Sequence, residues 1–305
     1  MVELAPGVRL VDSLLGGREG LTSVYLVAGE RLALVDTGAQ TSAGAVLSAL
    51  AEEGVGPDDL AHIVLTHIHL DHCGGTGDLA RAFPRARVAV HERGARHLAE
   101  PARLVAASHA VYGPKASLYG GLEPVPADRI DVAPDGYEID LGGGRVLRML
   151  ATPGHARHHM SVLETGDGTL MSGDALGVEF GAGGLYPSTP PSDVDVPAAR
   201  ASIARLAAEK PATVALAHFG PPTADDAFAL SDERWARMGE AALRGHREAG
   251  GEGAVAAVLE AAPLHGMVDD EAARRIWEWL GWDRDNLQGL AAWAARQAEA
   301  EDAAG

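Results

Sequence analysis

The apolar run Ile63-Val64-Leu65 ends in Thr66-His67-Ile68-His69-Leu70-Asp71-His72, which places three imidazoles and a carboxylate within six positions. No other stretch constrains the chain as strongly. Such groups are costly to desolvate side by side without partners. Around a cation they become a ligand set, because imidazole and carboxylate suit zinc and similar ions. A strand running into a tight loop lets alternate side chains converge on an ion at its carboxyl end. The cluster therefore reads as one half of a metal site.

The rest of the chain must supply the other half, and its length allows that. With 305 residues it can bury a sizeable core as one large domain, or one domain plus an appendage. No apolar run is long enough to span a membrane. The start, Met1-Val2-Glu3-Leu4-Ala5-Pro6, lacks a basic segment followed by an apolar one, so a secretory signal is not expected. The single cysteine, Cys73, excludes an intramolecular disulfide framework, and the cytoplasm is the expected compartment. A net charge of -18, with no cluster of Lys and Arg, argues against a nucleic-acid partner and favours a small-molecule substrate.

Taken in order, strands are expected at Val8 to Val11 and Ser23 to Val27, and a third at Leu32 to Val35 runs into Asp36-Thr37-Gly38. Asp36, at a strand end, can brace a ligand loop through hydrogen bonds. A helix is expected from Ser42 to Glu53, the cluster strand from Ala61 to Leu65, a short helix from Asp78 to Phe83, a strand at Arg87 to Val90, and a helix to about Glu100. Alternation of this kind indicates an α/β layer arrangement. Residues 101 to 127 lack clean periodicity and are expected to form a loop, either a substrate-facing lid or plain surface.

The second half repeats the strand-to-polar-turn pattern. Arg145 to Leu150 leads into Thr152-Pro153-Gly154-His155, and a hairpin over Met160 to Met171 ends at Ser172-Gly173-Asp174. A helix from Pro197 to Glu209, capped near Asp195, precedes a strand over Thr213 to Ala217 that ends in His218-Phe219-Gly220-Pro221. Beyond Pro222 the composition turns alanine-rich, with helices expected to about Gly250 and at 253 to 262, 269 to 281 and 285 to 300. All five tryptophans lie in this tail, where aromatic residues at helical spacing are expected to pack a core or a subunit interface.

These motifs together resemble the metallo-β-lactamase-fold hydrolase superfamily, over about residues 8 to 221. The resemblance implies an αββα sandwich, here as a catalytic domain over 1-222 with a helical C-terminal extension over 223-305. It implies two divalent metal ions, zinc first, with iron or manganese also compatible. One ion takes the residues matching His67, His69 and His155, the other those matching Asp71, His72 and His218, and Asp174 bridges them. It further implies a metal-bridging hydroxide acting on a small ester, thioester, lactone or phosphoester, with Asp71 orienting it or accepting its proton. Asp36 and Thr66 are expected to fix imidazole tautomers.

Departures narrow the substrate by subtraction. Asp174 stands where classical zinc β-lactamases carry a metal-binding cysteine, which points away from antibiotic hydrolysis. Residues 71 to 92 look like glyoxalase II, a thioester hydrolase, yet His218-Phe219-Gly220 departs from that family's His-Glu-Tyr. His159 resembles a pocket histidine of lactonase-like members, and Tyr112, Lys115, Tyr119 and Tyr186 are further candidates for the pocket. His158 is expected to face solvent, and His62, His91, His97, His109, His246 and His265 are expected to be structural or on the surface. Cys73 is expected to pack rather than ligate. Two other functions share the motifs. One is a mononuclear iron oxygenase resembling persulfide dioxygenases, using His67, His155 and Asp174. The other is a metal-stabilised binding protein without catalysis. The helical tail can cover the cleft or form a homodimer.

Overall fold

The computed structural model describes residues 1-179, 185-191, 193-222, 225-262 and 282-304. The chain forms two compact units, one of Met1–Ala151, His158–Gly173 and Lys210–Pro221, the other of Thr152–Arg157, Asp174–Glu209 and Pro222–Gly305. The first holds every strand among the described residues. Seven of them, β1 (Val2–Ala5), β2 (Val8–Asp12), β3 (Ser23–Ala28), β4 (Leu32–Val35), β5 (Leu60–Val64), β6 (Arg87–His91) and β7 (Ile130–Ala133), form one sheet in chain order. The other five, β8 (Tyr137–Gly142), β9 (Arg145–Ala151), β10 (Met160–Glu164), β11 (Thr169–Met171) and β12 (Thr213–Ala215), form a second sheet, also in chain order from one edge to the other.

Pairing direction places the loops that matter. Strands β4 to β7 run parallel, so the polar turns after β4 and β5 leave the same edge of the sheet. In the second sheet β11 and β12 are also parallel, which brings Ser172-Gly173 and Leu216-Ala217-His218 to one end. Between the sheets, Val8, Tyr25, Val27, Val35 and Val64 from the first pack with Leu141, Leu147, Met149, Met160 and Met171 from the second, all nearly inaccessible to solvent. Burying side chains of this size is worth about 1.5–3 kcal/mol each, so the strand ends are stiff supports for what they carry.

The fold class is the expected α/β one, with two sheets and C-terminal helices. Strands β1, β7 and β8, which the sequence did not announce, are edge strands; β1 and β7 are short, and β8 shows only a brief alternation of buried and exposed residues. The helices α1 (Ala43–Glu52), α2 (Leu70–Cys73), α3 (Thr76–Ala82) and α4 (Glu92–Ala99) belong to the first unit. The expected loop at 101 to 127 is instead largely helical, with α5 (Ala102–Tyr112) and α6 (Ala116–Tyr119) joined by a 3-10 turn. Its residues favour helix, but α5 buries none of them, so no apolar stripe betrays it in the sequence.

In the second unit, α7 (Val196–Ala208) is capped by Asp195, whose carboxylate accepts from the Ala198 N–H at 2.9 Å. The long α8 (Ala227–Ala261) is capped by Asp226 and broken at Ala249 and Gly250, where the sequence placed a helix end. It packs against α9 (Trp282–Ala304), burying Trp235 and Trp293. The helix expected at 269 to 281, with Trp277 and Trp279, lies outside the described residues. Among the described residues no helix is long and apolar enough to cross a membrane.

Candidate metal centre

In the first unit the cluster opens where β5 ends. Strand β4 lies beside it, and Asp36 follows β4 with a left-handed backbone (φ 60°), a strained conformation for a residue with a side chain. What the strain achieves is visible in the hydrogen bonds. The Asp36 carboxylate accepts the Thr66 N–H at 2.8 Å, the Thr66 hydroxyl at 2.8 Å and the His72 Nδ1–H at 3.0 Å. Since the Thr66 hydroxyl spends its hydrogen on Asp36, its oxygen accepts from His67 Nδ1 at 3.0 Å. One buried carboxylate thus fixes the protons of two imidazoles on Nδ1 and leaves their Nε2 atoms as lone pairs.

His218 is prepared in the same way from another strand end. The segment after β12 is stitched to β3 by the Ser23 N–H donating to the Ala217 carbonyl at 2.7 Å, and His218 Nδ1–H donates to the Leu21 carbonyl at 2.8 Å. Its Nε2 lies 3.1 Å from Nε2 of His72. A carboxylate and a carbonyl are acceptors only, so in the neutral rings both of these Nε2 atoms carry lone pairs aimed at each other. Two lone pairs at that separation repel unless a proton or a cation lies between them. The carboxylate of Asp71 completes the triangle, with Oδ2 3.6 Å from His72 Nε2 and 3.5 Å from His218 Nε2. One donor atom from each of Asp71, His72 and His218 falls within 4.8 Å of the others, a set that fits a divalent ion. His67 Nε2 and His69 Nδ1 form a second close pair at 3.0 Å.

The second unit carries a smaller constellation. His155 Nδ1–H donates to the Ser188 carbonyl at 2.9 Å, and its Nε2 lies 3.5 Å from Asp174 Oδ2, both side chains being buried. A deprotonated imidazole nitrogen facing a carboxylate is again a donor pair suited to a cation. Gly154, just before His155, has φ 140°, and a Cβ there would collide with the Ala199 backbone of α7, so only glycine lets the chain approach the helix this closely.

His159 is fully buried with its ring 5.0 Å from that of His67. His158, expected to face solvent, is half-buried and stacks its ring 6.1 Å from His67 and edge-on to His69 at 5.6 Å; the two-residue step from it to Met160, the first residue of β10, gave no hint of this. Tyr112 and Tyr119 stack on each other at 4.3 Å, beside Lys115 in the 3-10 turn. Their segment is tied down by Gln40 and Thr41, which bond the Gly121 N–H and the Leu118 carbonyl at 2.6 Å each. Tyr186 belongs to the second unit, buried under the Arg234 guanidinium at 5.2 Å, and burial pushes its phenol well up. Cys73 is fully buried and its thiol is pushed well above the ordinary range by burial, then by the charges of Asp71 and Asp36, as packing requires. His91 caps α4 by accepting from the Arg93 N–H, and His109 donates to the Gly120 carbonyl. His265 lies outside the described residues.

With this geometry in place, comparison with known proteins gives a consistent answer. The model of the metallo-beta-lactamase superfamily matches residues 17–218. The metallo-beta-lactamase fold-containing protein ST1585 of Sulfurisphaera tokodaii is 37% identical over 205 residues, which are 66% of this chain and 73% of that protein. The solved structure of ST1585, described as an archaeal metallo-beta-lactamase superfamily protein from Sulfolobus tokodaii, superposes with a TM-score of 0.71 at 29% identity, covering 93% of this chain and 98% of that one. A hydroxyacylglutathione hydrolase of Vibrio campbellii is 32% identical over 131 residues, 43% of this chain and only 38% of that enzyme.

Proposed function

The chain belongs to the metallo-β-lactamase superfamily, and from that membership we propose that it is a hydrolase that holds two divalent metal ions, zinc in the first instance, and cleaves a small ester, thioester, lactone or phosphoester. The observation that carries this reading is the triangle of Asp71, His72 and His218, in which two imidazole lone pairs confront each other at 3.1 Å. A mononuclear iron oxygenase has no use for that triangle.

On this reading His67, His69 and His155 hold one ion, Asp71, His72 and His218 the other, and Asp174 serves both. Bound there, the ions would act as Lewis acids toward a carbonyl or phosphoryl group and bring the pKa of a water nucleophile toward neutrality. The chain's own residues do the rest. Asp36 and Thr66 hold the protons of His72 and His67 on Nδ1, which leaves Nε2 as the ligating nitrogen of each. Asp71, whose side chain is 14% exposed, is the ligand candidate placed to take a proton at its carboxylate from an attacking water. His158 and His159 set their rings beside that of His67, at 6.1 and 5.0 Å, where they can contact a bound substrate.

The thioester class is favoured among the four by the hydroxyacylglutathione hydrolase of Vibrio campbellii, although that match spans little of the enzyme. We place the activity in the cytoplasm, in keeping with a single, buried cysteine. The test is a panel of thioesters, esters, lactones and phosphodiesters offered to the full chain before and after chelation. Hydrolysis that chelation abolishes and zinc or manganese restores is expected. Oxygen uptake with a persulfide on a single iron, without hydrolysis, would overturn the proposal.

A further inference from the structure

Within the second unit, the main chain between Asp174 and Thr189 carries both members of the His155–Asp174 constellation, one as its first residue and the other through the Ser188 carbonyl. Its described residues, 174-179 and 185-189, carry few hydrogen bonds among themselves. The Gly177 N–H returns to the Asp174 carbonyl at 3.0 Å, and Val178 and Tyr186 exchange hydrogen bonds at 2.7 and 2.8 Å. Several of these described residues are held by the C-terminal helices. Ser231 of α8 donates to the Leu176 carbonyl at 2.9 Å, and Arg234 donates to the Leu185 carbonyl.

The tightest clamp is Asn286 of α9. Its amide nitrogen donates to the Pro187 carbonyl at 3.0 Å while its amide oxygen accepts the Thr189 N–H, and the Thr189 hydroxyl donates to its main-chain carbonyl at 2.7 Å. The orientation of the amide is dictated by chemistry, since a carbonyl only accepts and an N–H only donates. Asn286 and Thr189 are buried, 6% and 0% exposed, so these bonds have no water to replace them. Gly289, one turn further along α9, makes the approach possible, because a Cβ there would run into the carbonyls of Thr189 and Pro190.

We propose that Asn286 is a positioning residue for the metal ligand His155. By bracketing Ser188 on both sides, it aims the Ser188 carbonyl at His155 Nδ1, holds the proton there, and so makes Nε2 the nitrogen with a lone pair for an ion. The inference rests on the two-metal reading above and adds a role for the helical tail. It is a frame for one half of the metal centre, reaching it through 98 residues of sequence from Ser188 to Asn286. Loss of the bracket lets the carbonyl turn, and a His155 tautomer with its proton on Nε2 cannot ligate. Changes to such supporting bonds typically weaken metal binding by about 10–100-fold.

The test uses the full chain, freed of metal and titrated with cobalt(II) against a competing chelator, with the visible spectrum of the bound ion and the thermal midpoint of the apoprotein recorded in parallel. Four variants suffice. Asn286→Asp keeps the volume and the bond from Thr189 but loses the donor to Pro187. Asn286→Ala loses both, His155→Ala removes the ligand, and Leu290→Ala removes a fully buried side chain from the same helix. Both Asn286 variants are expected to bind one of two equivalents about 10–100-fold more weakly, with an altered cobalt spectrum, and to leave the other equivalent unchanged. Leu290→Ala is expected to lower the thermal midpoint with both equivalents unaltered. Wild-type binding by Asn286→Asp, when His155→Ala loses an equivalent, overturns the positioning role, and so does an equal loss of affinity in Leu290→Ala. Wild-type binding by His155→Ala overturns the metal-centre reading itself, and the positioning role with it. Should the Asn286 variants not fold, histidine-nitrogen NMR of the unsubstituted apoprotein decides: a proton on His155 Nδ1 supports the bracket, and one on Nε2 overturns it.

Discussion

The two constellations that offer metal ligands are built on opposite principles. In the first unit His67, His69, Asp71 and His72 come from one short stretch after β5 that runs into α2, and Asp36, which orients His72 directly and His67 through Thr66, sits at the end of the neighbouring parallel strand. A stiff sheet edge and one strained carboxylate do the positioning. In the second unit His155 and Asp174 stand on separate irregular segments, His155 takes its proton partner from a main-chain carbonyl, and the carbonyl is aimed by a helix near the end of the chain. The first arrangement is local and stores its cost in one backbone; the second is spread over helix packing. The lesson is that a ligand cluster dense in sequence needs little outside help, whereas isolated ligands borrow their geometry from elements far along the chain.

That contrast can be broken experimentally, beginning with the largest effect. Replacing His69 or Asp174 by alanine is expected to abolish turnover of any substrate found in the panel, since each removes a ligand outright; steady-state kinetics of the two variants checks this, and activity within tenfold of wild type in Asp174→Ala would remove it from the site. Next comes Asp36→Asn, in which the side-chain amide confronts the His72 Nδ1–H with a donor or leaves Thr66 unserved. Metal binding is expected to weaken about 10–100-fold at the Asp71-His72-His218 set, where Asp36 holds His72 directly, and also at the set that includes His67, which it reaches through Thr66. Unfolding by denaturant should show a loss of about 1–3 kcal/mol for the orphaned buried donors. If Asp36→Asn left untouched the equivalent that Asn286→Asp loosens, the relay from Asp36 through Thr66 to His67 would be wrong.

Smaller effects mark the boundaries of the two regions. Cys73 follows His72 directly, but burial pushes its thiol up and shields it. A thiol reagent at neutral pH is expected to leave the native protein unlabelled and to modify it fully after unfolding; rapid native labelling would show that the loop opens. Smallest is Arg200→Ala on α7, which breaks the exposed pair with Asp232 on α8, 2.7 Å apart. The pair holds the Asp232 carboxyl below its usual range, so its contribution is present above about pH 3.9 and lost as pH falls through the depressed value. Exposed pairs of this kind are worth about 0.2–1 kcal/mol. Denaturation of the variant against wild type at pH 7 and at acidic pH should therefore differ only at pH 7, and only slightly, with metal binding untouched.

What could be read from the sequence follows the same division. The loop at 66 to 72 announced itself because four ligating side chains share one stretch, and the strands behind it are continuous apolar runs. Asp36 was legible as a strand-end carboxylate, although its left-handed backbone was not. His158 was missed because nothing in His155-Ala156-Arg157-His158-His159 says which ring turns toward His67. The helix at 102 to 112 was missed because a helix that buries nothing leaves no periodic signal. Ser188 and Asn286 had no signal at all, since a carbonyl's direction is set by packing and an asparagine on a helix is usually solvated.

The central claim is that these residues hold two divalent ions, and the metal content of the purified full chain tests it most directly. Saturated with zinc and then dialysed, the protein is expected to retain two ions per chain, and the His72→Ala variant one. A wild-type chain that retains a single ion, or a His72→Ala chain that retains as many as wild type, would contradict it.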